Sequence, residues 1–294
     1  MTFIQAILLG LLQGLTEFLP VSSTAHMAIV PQLFGMDDPG AAFSAIVQLG
    51  PIVAIIAYFR GEISRYWKGI VRTKSPKNIP VSDIDARLGW YTLIGTIPMV
   101  VFGVLLEKKV DTQFRQMYVI AFSLIALALV LVYAEAVGKK SRSLKTVTLQ
   151  DSLFIGFAQV LALVPGASRS GVTITAGLFK GLDRESAAKF SFLLSIPAIT
   201  GAGLFKIFRV VTHDHSLGGH LVPYLLSAVV AGFVAYAVVN WFLGFMKEHS
   251  TRGFIIYRIV LGIAVIVLVQ MHYIKPNRPV TLDAPASAPA AQTP

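Results

Sequence analysis

The sequence predicts an all-α polytopic membrane protein built as an inverted-topology repeat, with six transmembrane helices plus two opposed re-entrant helical hairpins. Three observations carry that prediction. The 294 residues are 55% hydrophobic and 14% charged, with a mean hydropathy of +0.69, whereas soluble domains are about 25% charged. Six apolar runs are long enough to cross about 30 Å of hydrocarbon, and four shorter ones are not. The halves also share residues at a near-constant offset: Gln13 and Gln159 stand 146 apart, Pro20 and Pro165 145, Phe43 and Phe190 147, Pro51 and Pro197 146. The third residue after Pro20 and after Pro165 is a serine, Ser23 and Ser168.

The first two short segments, near 3–16 and 22–34, flank Pro20. Helices of that length, rising about 1.5 Å per residue, fall short of the bilayer, so the pair reads as a re-entrant hairpin. Four tilted crossings are the alternative. Spans at 41–59, 89–106 and 117–137 complete a first unit, 1–140. A second hairpin, 151–163 and 169–180 around Pro165, opens the unit 141–273, completed by spans at 187–206, 222–246 and 254–272. Three crossings are an odd number, so the second unit is upside down relative to the first, and the hairpin tips can meet near the midplane. The tail, 274–294, is rich in Pro and Ala and reads as disordered.

Charge orients the chain. With the N-terminus outside, 16 basic residues fall on the cytoplasmic side, mostly in the 60–88 and 138–150 loops, against 7 outside, the bias of the positive-inside rule. Both termini are then outside. No Lys or Arg precedes Arg60, so the first apolar segment lacks the basic flank of a cleaved signal peptide and is expected to remain. The net charge of +10 does not indicate nucleic acid, because no basic stripe is interleaved with stacking aromatics. The absence of cysteine excludes disulfides and thiolate metal sites.

Chemistry concentrates at the tips, since ionisable groups at bilayer depth persist where they serve function. Gln13 and Glu17 are four apart and share a helix face. Pro20 and Val21 break that helix, and Ser22 or Ser23 is placed to cap the next one. Ser23 and His26 are three apart, the spacing of a hydroxyl and its base. The plainer reading is that the serines cap and His26 satisfies a carbonyl. On the other tip, Pro165 and Gly166 end a helix, and Ser168, Arg169, Ser170 and Thr173 open the next. Free N–H groups, hydroxyls and a guanidinium make an anion cradle there, and arginine's planar fork suits phosphate. The plainer reading makes Arg169 a cap, or an ion-pair partner of Glu17.

Other polar residues read as peripheral. His213, His215 and His220 sit in an outer loop with spacing that matches no structural zinc pattern. Arg258 is expected to snorkel at the cytoplasmic end of the last span, Glu135 to pair with Lys139 at the surface, and Asp83 and Asp85 to lie in a solvated amphipathic segment.

Gln13-x-x-x-Glu17, then Pro20-Val21-Ser22-Ser23-Thr24-Ala25-His26, with Pro165-Gly166-Ala167-Ser168-Arg169-Ser170-Gly171-Val172-Thr173, resemble the signature of the bacterial undecaprenyl pyrophosphate phosphatases of the bacitracin-resistance type. Val47-Gln48-Leu49-Gly50 and Phe190-Ser191-Phe192-Leu193-Leu194 extend the likeness. Two departures stand out: Gln13 occupies a position that is Glu or Gln in that family, which weakens any two-carboxylate mechanism, and Ala25 replaces the usual glycine. The resemblance implies an enzyme of the bacterial inner membrane that hydrolyses undecaprenyl pyrophosphate to the monophosphate, at a site open to the outer side. It also implies a divalent cation, Mg2+ or Ca2+. In that reading Glu17, helped by the Gln13 carbonyl, holds the cation or a proton. Ser23 attacks, His26 acts as base or acid, and Arg169, Ser168, Ser170 and Thr173 hold the phosphates, with Ser22 and Gly166 beside them. Direct attack by water is the rival mechanism. A secondary transporter or lipid-carrier flippase would share the architecture, and a non-catalytic scaffold would not need the buried cluster. The oligomeric state stays open, a homodimer included.

Overall fold

The computed structural model describes residues 1–36, 40–77, 79–111, 114, 116–213 and 221–276. The expected tail from 277 onward, and His215 and His220, lie outside these residues. Among the described residues the chain is helical with no strand: α1 (Phe3–Thr16), α2 (Ser23–Leu33), α3 (Gly40–Val47), α4 (Leu49–Tyr58), α5 (Arg60–Thr73), α6 (Ile84–Asp111), α7 (Met117–Val137), α8 (Leu149–Val160), α9 (Arg169–Phe179), α10 (Arg184–His213), α11 (Leu221–Glu248) and α12 (Arg252–Gln270).

Five of these, α6, α7, α10, α11 and α12, are long and apolar enough to cross a membrane. The span expected at 41–59 is present as Ala42–Tyr58, a sixth candidate crossing when taken together with the helix that follows it. Gln48 separates α3 from α4, and Ala42–Tyr58 bends by 73° into α5. The 60–88 segment therefore begins as an amphipathic helix rather than a loop: α5 buries Tyr66 and Gly69 and packs on α6.

The four short helices form two pairs, α1 against α2 and α8 against α9. At 14 and 12 residues, α1 and α8 extend only about 21 and 18 Å, short of a bilayer core of about 30 Å. Both start alike. Thr2 caps α1 reciprocally with Gln5, and Thr148 caps α8 reciprocally with Asp151. Each pair leans on the opposite half of the chain, α1 on α11 and α8 on α6, while α7 packs along α12. Glycine permits the approach: a Cβ at Gly10 would stand 2.5 Å from the Ser227 carbonyl oxygen, and one at Gly156 2.0 Å from that of Gly95. The base of the second pair is fastened by Arg142, which donates to Asp151 at 2.6 and 3.2 Å and to the carbonyls of Thr146 and Lys180.

Glu135 is not the surface partner of Lys139 that its spacing suggested. Its carboxylate is turned inward to Arg184 and Thr251, because two other helices begin beside it.

Candidate active site

α1 ends at Thr16, which puts Glu17 just past the helix terminus, buried and facing the turn. Pro20 and Val21 reverse the chain. Ser22 then caps α2, accepting a hydrogen bond from the Ala25 N–H at 3.3 Å, with φ at +73°. The second tip repeats the device: Ser168 caps α9 through the Gly171 N–H at 3.2 Å, with φ at +65°. A left-handed serine costs on the order of 1–3 kcal/mol and survives where the surroundings enforce it, commonly at functional sites. The equivalent residues are thus Ser22 and Ser168, and with them Ser23 and Arg169, rather than Ser23 and Ser168. The first turn is one residue shorter after its proline.

A side chain at the first helical position points back toward the helix start, so Ser23 and Arg169 both reach Glu17. Ser23 Oγ donates to Glu17 Oε2 at 2.7 Å, and Arg169 Nη2 donates to Oε1 at 2.7 Å. Gln13 Nε2 adds a bond to Oε2 at 2.8 Å. Gln48, freed by the break between α3 and α4, reaches Oε1 at 3.4 Å. The tips also touch through Ser170 Oγ, which donates to the Leu19 carbonyl at 2.9 Å, and through the Gly166 N–H, 3.4 Å from Thr24 Oγ1.

The spacing of Ser23 and His26 suggested a hydrogen-bonded dyad, and the structure does not join them. His26 Nδ1 lies 2.7 Å from the Ser22 carbonyl oxygen. That oxygen can only accept, so Nδ1 carries the proton and Nε2 the lone pair. Nε2 then accepts from the Tyr257 hydroxyl at 2.6 Å, with the two ring planes parallel to within 1°. The hydrogen-bonded proton acceptor of Ser23 is Glu17.

Part of the expected anion cradle is committed to building the tip. Thr173 Oγ1 donates to the Arg169 carbonyl at 2.8 Å and sits 2.6 Å from Ser191 Oγ, fully buried. Ser170 and Ser168 lie 3.3 Å apart, oxygen to oxygen. What faces Glu17 is Ser23, Gln13, Gln48 and the guanidinium of Arg169.

Arg258 does not snorkel. It is fully buried, and Nη2 donates to the carbonyls of Ala167 at 3.0 Å, Ser123 at 3.3 Å and Gly166 at 3.4 Å. Its Nε and Nη1 have no hydrogen-bond partner among the described residues. Tyr257 and Arg258, adjacent on α12, thus hold one tip each. Spacing within a hairpin could not reveal either. The cost of a charge inside an apolar span was the one signal that could have marked Arg258, which the sequence reading instead placed at the membrane surface.

The arrangement is suited to a hard cation in one way. Among the described residues no three His, Asp or Glu side chains converge, which leaves Glu17 as a single carboxylate with the Ser23 hydroxyl oxygen beside it, Gln13 presenting its amide nitrogen. Mg2+ is commonly held by one or two carboxylates together with substrate phosphates, and that donor set fits.

The profile of the family described as Bacitracin resistance protein BacA matches residues 6–264. The chain belongs to that family. It is 48% identical over 278 residues to an undecaprenyl-diphosphatase of Chloroherpeton thalassium, covering 92% of this chain and 98% of the relative. It is 45% identical over 273 residues to one of Renibacterium salmoninarum, covering 91% and 96%. It is 44% identical over 284 residues to one of Myxococcus xanthus, covering 94% and 92%. Both tips, the long helices α6, α7, α10 and α11, and α12 as far as residue 264 fall inside the matched region of this BacA-family member.

Proposed function

We propose that this BacA-family chain is an undecaprenyl-diphosphatase, an integral membrane hydrolase that returns the lipid carrier to its monophosphate for cell-wall synthesis. The observation that carries the chemistry is the Glu17 carboxylate, which holds the Ser23 hydroxyl and the Arg169 guanidinium at 2.7 Å each. Ser23 Oγ attacks the terminal phosphorus and passes its proton to Glu17. The bond to the bridging oxygen breaks, and undecaprenyl phosphate leaves. Water then attacks the phosphoserine phosphorus, the P–Oγ bond breaks, Glu17 returns its proton to Ser23 Oγ, and both protons of the water leave with inorganic phosphate. Arg169 neutralises the phosphoryl oxygens through the N–H groups not used by Glu17.

A bound Mg2+ or Ca2+ would supply charge neutralisation on the phosphates. Glu17 would hold it, joined by the Gln13 carbonyl once that amide, whose nitrogen faces Glu17 in the structure, is turned. His26, whose Nε2 accepts from the Tyr257 hydroxyl, would exchange a proton in turnover through that hydroxyl.

The units 1–140 and 141–273 form the inverted pair, a reading supported by matching caps and by the exchange of packing partners between halves. The basic loops favour a cytoplasmic placement for the end of α7 and the starts of α10 and α12, with both termini outside. A site open to the outer leaflet suits recycling of a carrier released there.

Release of inorganic phosphate from a short-chain polyprenyl diphosphate in detergent tests the reading. A hydrolase releases phosphate in a micelle, whereas a carrier or flippase does not, because no second compartment exists. Absence of release by folded protein supplied with Mg2+ or Ca2+ would overturn the assignment.

A further inference from the structure

Away from the tips, a cavity of about 440 Å³ opens between the end of α7 and the starts of α10 and α12. Its polar lining is one carboxylate, Glu135, and three cations, Lys140, Arg184 and Arg252. Glu135 is already saturated. Arg184 reaches it through Nε at 3.0 and 3.1 Å and through Nη2 at 2.7 Å, and Thr251 donates its N–H at 3.1 Å and its hydroxyl at 2.8 Å. Lys140, with φ at +51°, turns its ammonium to the Glu135 carbonyl and to within 3.7 Å of the carboxylate. The Arg252 guanidinium forms no hydrogen bond or ion pair among the described residues.

One negative charge against three positive ones leaves the cleft with a net charge of +2. The first turns of α10 and α12 add positive dipole ends. Such a site calls for an anion. The other wall is apolar: Val132 and Ile256, 43% and 63% exposed, continue it onto the outer face of the bundle. The cleft therefore offers a charged end and a greasy flank, the two halves of an amphiphile.

We propose that this cleft is a binding site for the phosphate headgroup of an anionic phospholipid, seated on Lys140, Arg184 and Arg252 with an acyl chain along Val132 and Ile256. Basic pockets between membrane helices bind anionic headgroups for this reason. The ligand braces the start of α12, which a turn or so farther on carries Tyr257 and Arg258. None of the groups around Glu17 takes part.

Native mass spectrometry of the full-length protein in detergent, titrated in turn with phosphatidylglycerol, phosphatidylcholine and inorganic phosphate, tests the site. The expected result is preferential retention of phosphatidylglycerol, undisturbed by equimolar inorganic phosphate. Arg252→Gln removes an exposed cation with no partner, so folding is not at stake, and should weaken retention about fivefold. Adding Lys140→Gln should bring the loss to about 25-fold, at about fivefold per cation. Equal retention of phosphatidylcholine, or unchanged affinity in Arg252→Gln, would overturn the proposal. Displacement by inorganic phosphate at equal concentration would also overturn it, since the site would then take a small anion rather than a lipid.

Discussion

Ser23→Ala separates the two roles the structure allows for this hydroxyl, because they differ in magnitude. Ser23 makes one bond to an ionised partner, Glu17, at 2.7 Å, and it is not fully buried. If its task is to orient Glu17, its removal forfeits a charge-assisted hydrogen bond of about 1.5–3 kcal/mol. That corresponds to a rate loss between about tenfold and 150-fold. If Ser23 is the nucleophile, the covalent route disappears and the loss exceeds about a thousandfold, the residual rate coming from Arg169 and the rest of the electrostatic environment. The assay is phosphate release from a short-chain polyprenyl diphosphate under saturating substrate. Acid quenching in the first turnover, with substrate labelled at the terminal phosphate, adds a second readout. Label should appear on Ser23 in the parent and be absent in Ser23→Ala. A variant that keeps a few per cent of the parent rate would refute the serine mechanism while leaving the phosphatase assignment standing, and water would then be the nucleophile. Ser22→Ala, which removes a cap rather than an attacking group, should lower thermal stability by about 1 kcal/mol and lower the rate far less.

Arg169→Lys keeps the charge but cannot hold Glu17 and a phosphate oxygen together through one planar fork, so kcat should fall at least about tenfold; near-parental turnover would reduce Arg169 to an ion-pair partner. Tyr257→Phe leaves the His26 ring in place without its hydroxyl donor, and kcat should drop roughly two- to tenfold with KM unchanged, the worth of one neutral hydrogen bond. Arg258→Met removes the donor that holds Ala167 and Gly166 but also removes a buried, half-satisfied cation, two effects of opposite sign on stability. The unfolding temperature should move little while kcat falls on the order of a hundredfold through misplacement of the second tip; a large loss of stability with unimpaired kcat in the surviving folded protein would contradict the positioning role.

The elements that the sequence revealed are those governed by local rules. Span length follows from apolar runs, and helix breaks follow from Pro20 and Pro165. Glu17 and Arg169 stood out because charge inside an apolar stretch is costly. What escaped depends on contacts between distant segments. A three-residue spacing places Ser23 and His26 on one helix face, yet a residue at the helix start points backward. Ser23 therefore meets Glu17, while the imidazole is claimed by Tyr257, 231 positions away. The Ser22–Ser168 equivalence was obscured by a one-residue difference in turn length, which only the caps resolve. Arg258 and Glu135 looked peripheral because distance from a helix end was measured along the sequence, whereas packing of α12 on α7 encloses both.

Charge at the tips explains why a catalytic site here needs its substrate. Arg258 is fully buried and the Arg169 side chain is only 13% exposed, and among the described residues Glu17 is the one carboxylate that pairs with either. Arg169 is paired, but Arg258 meets only carbonyl dipoles, and two of its nitrogens lack even those. An excess of buried positive charge costs several kcal/mol in the empty protein. The left-handed Ser22 and Ser168 add backbone strain at the same place. A polyprenyl diphosphate brings negative charge to this cluster and develops more on its bridging oxygen as the bond breaks. The Arg169 guanidinium, through N–H groups not used by Glu17, then interacts most strongly in the transition state, and that difference is what accelerates a reaction, while Arg258 acts from behind the tip through its hold on Gly166 and Ala167.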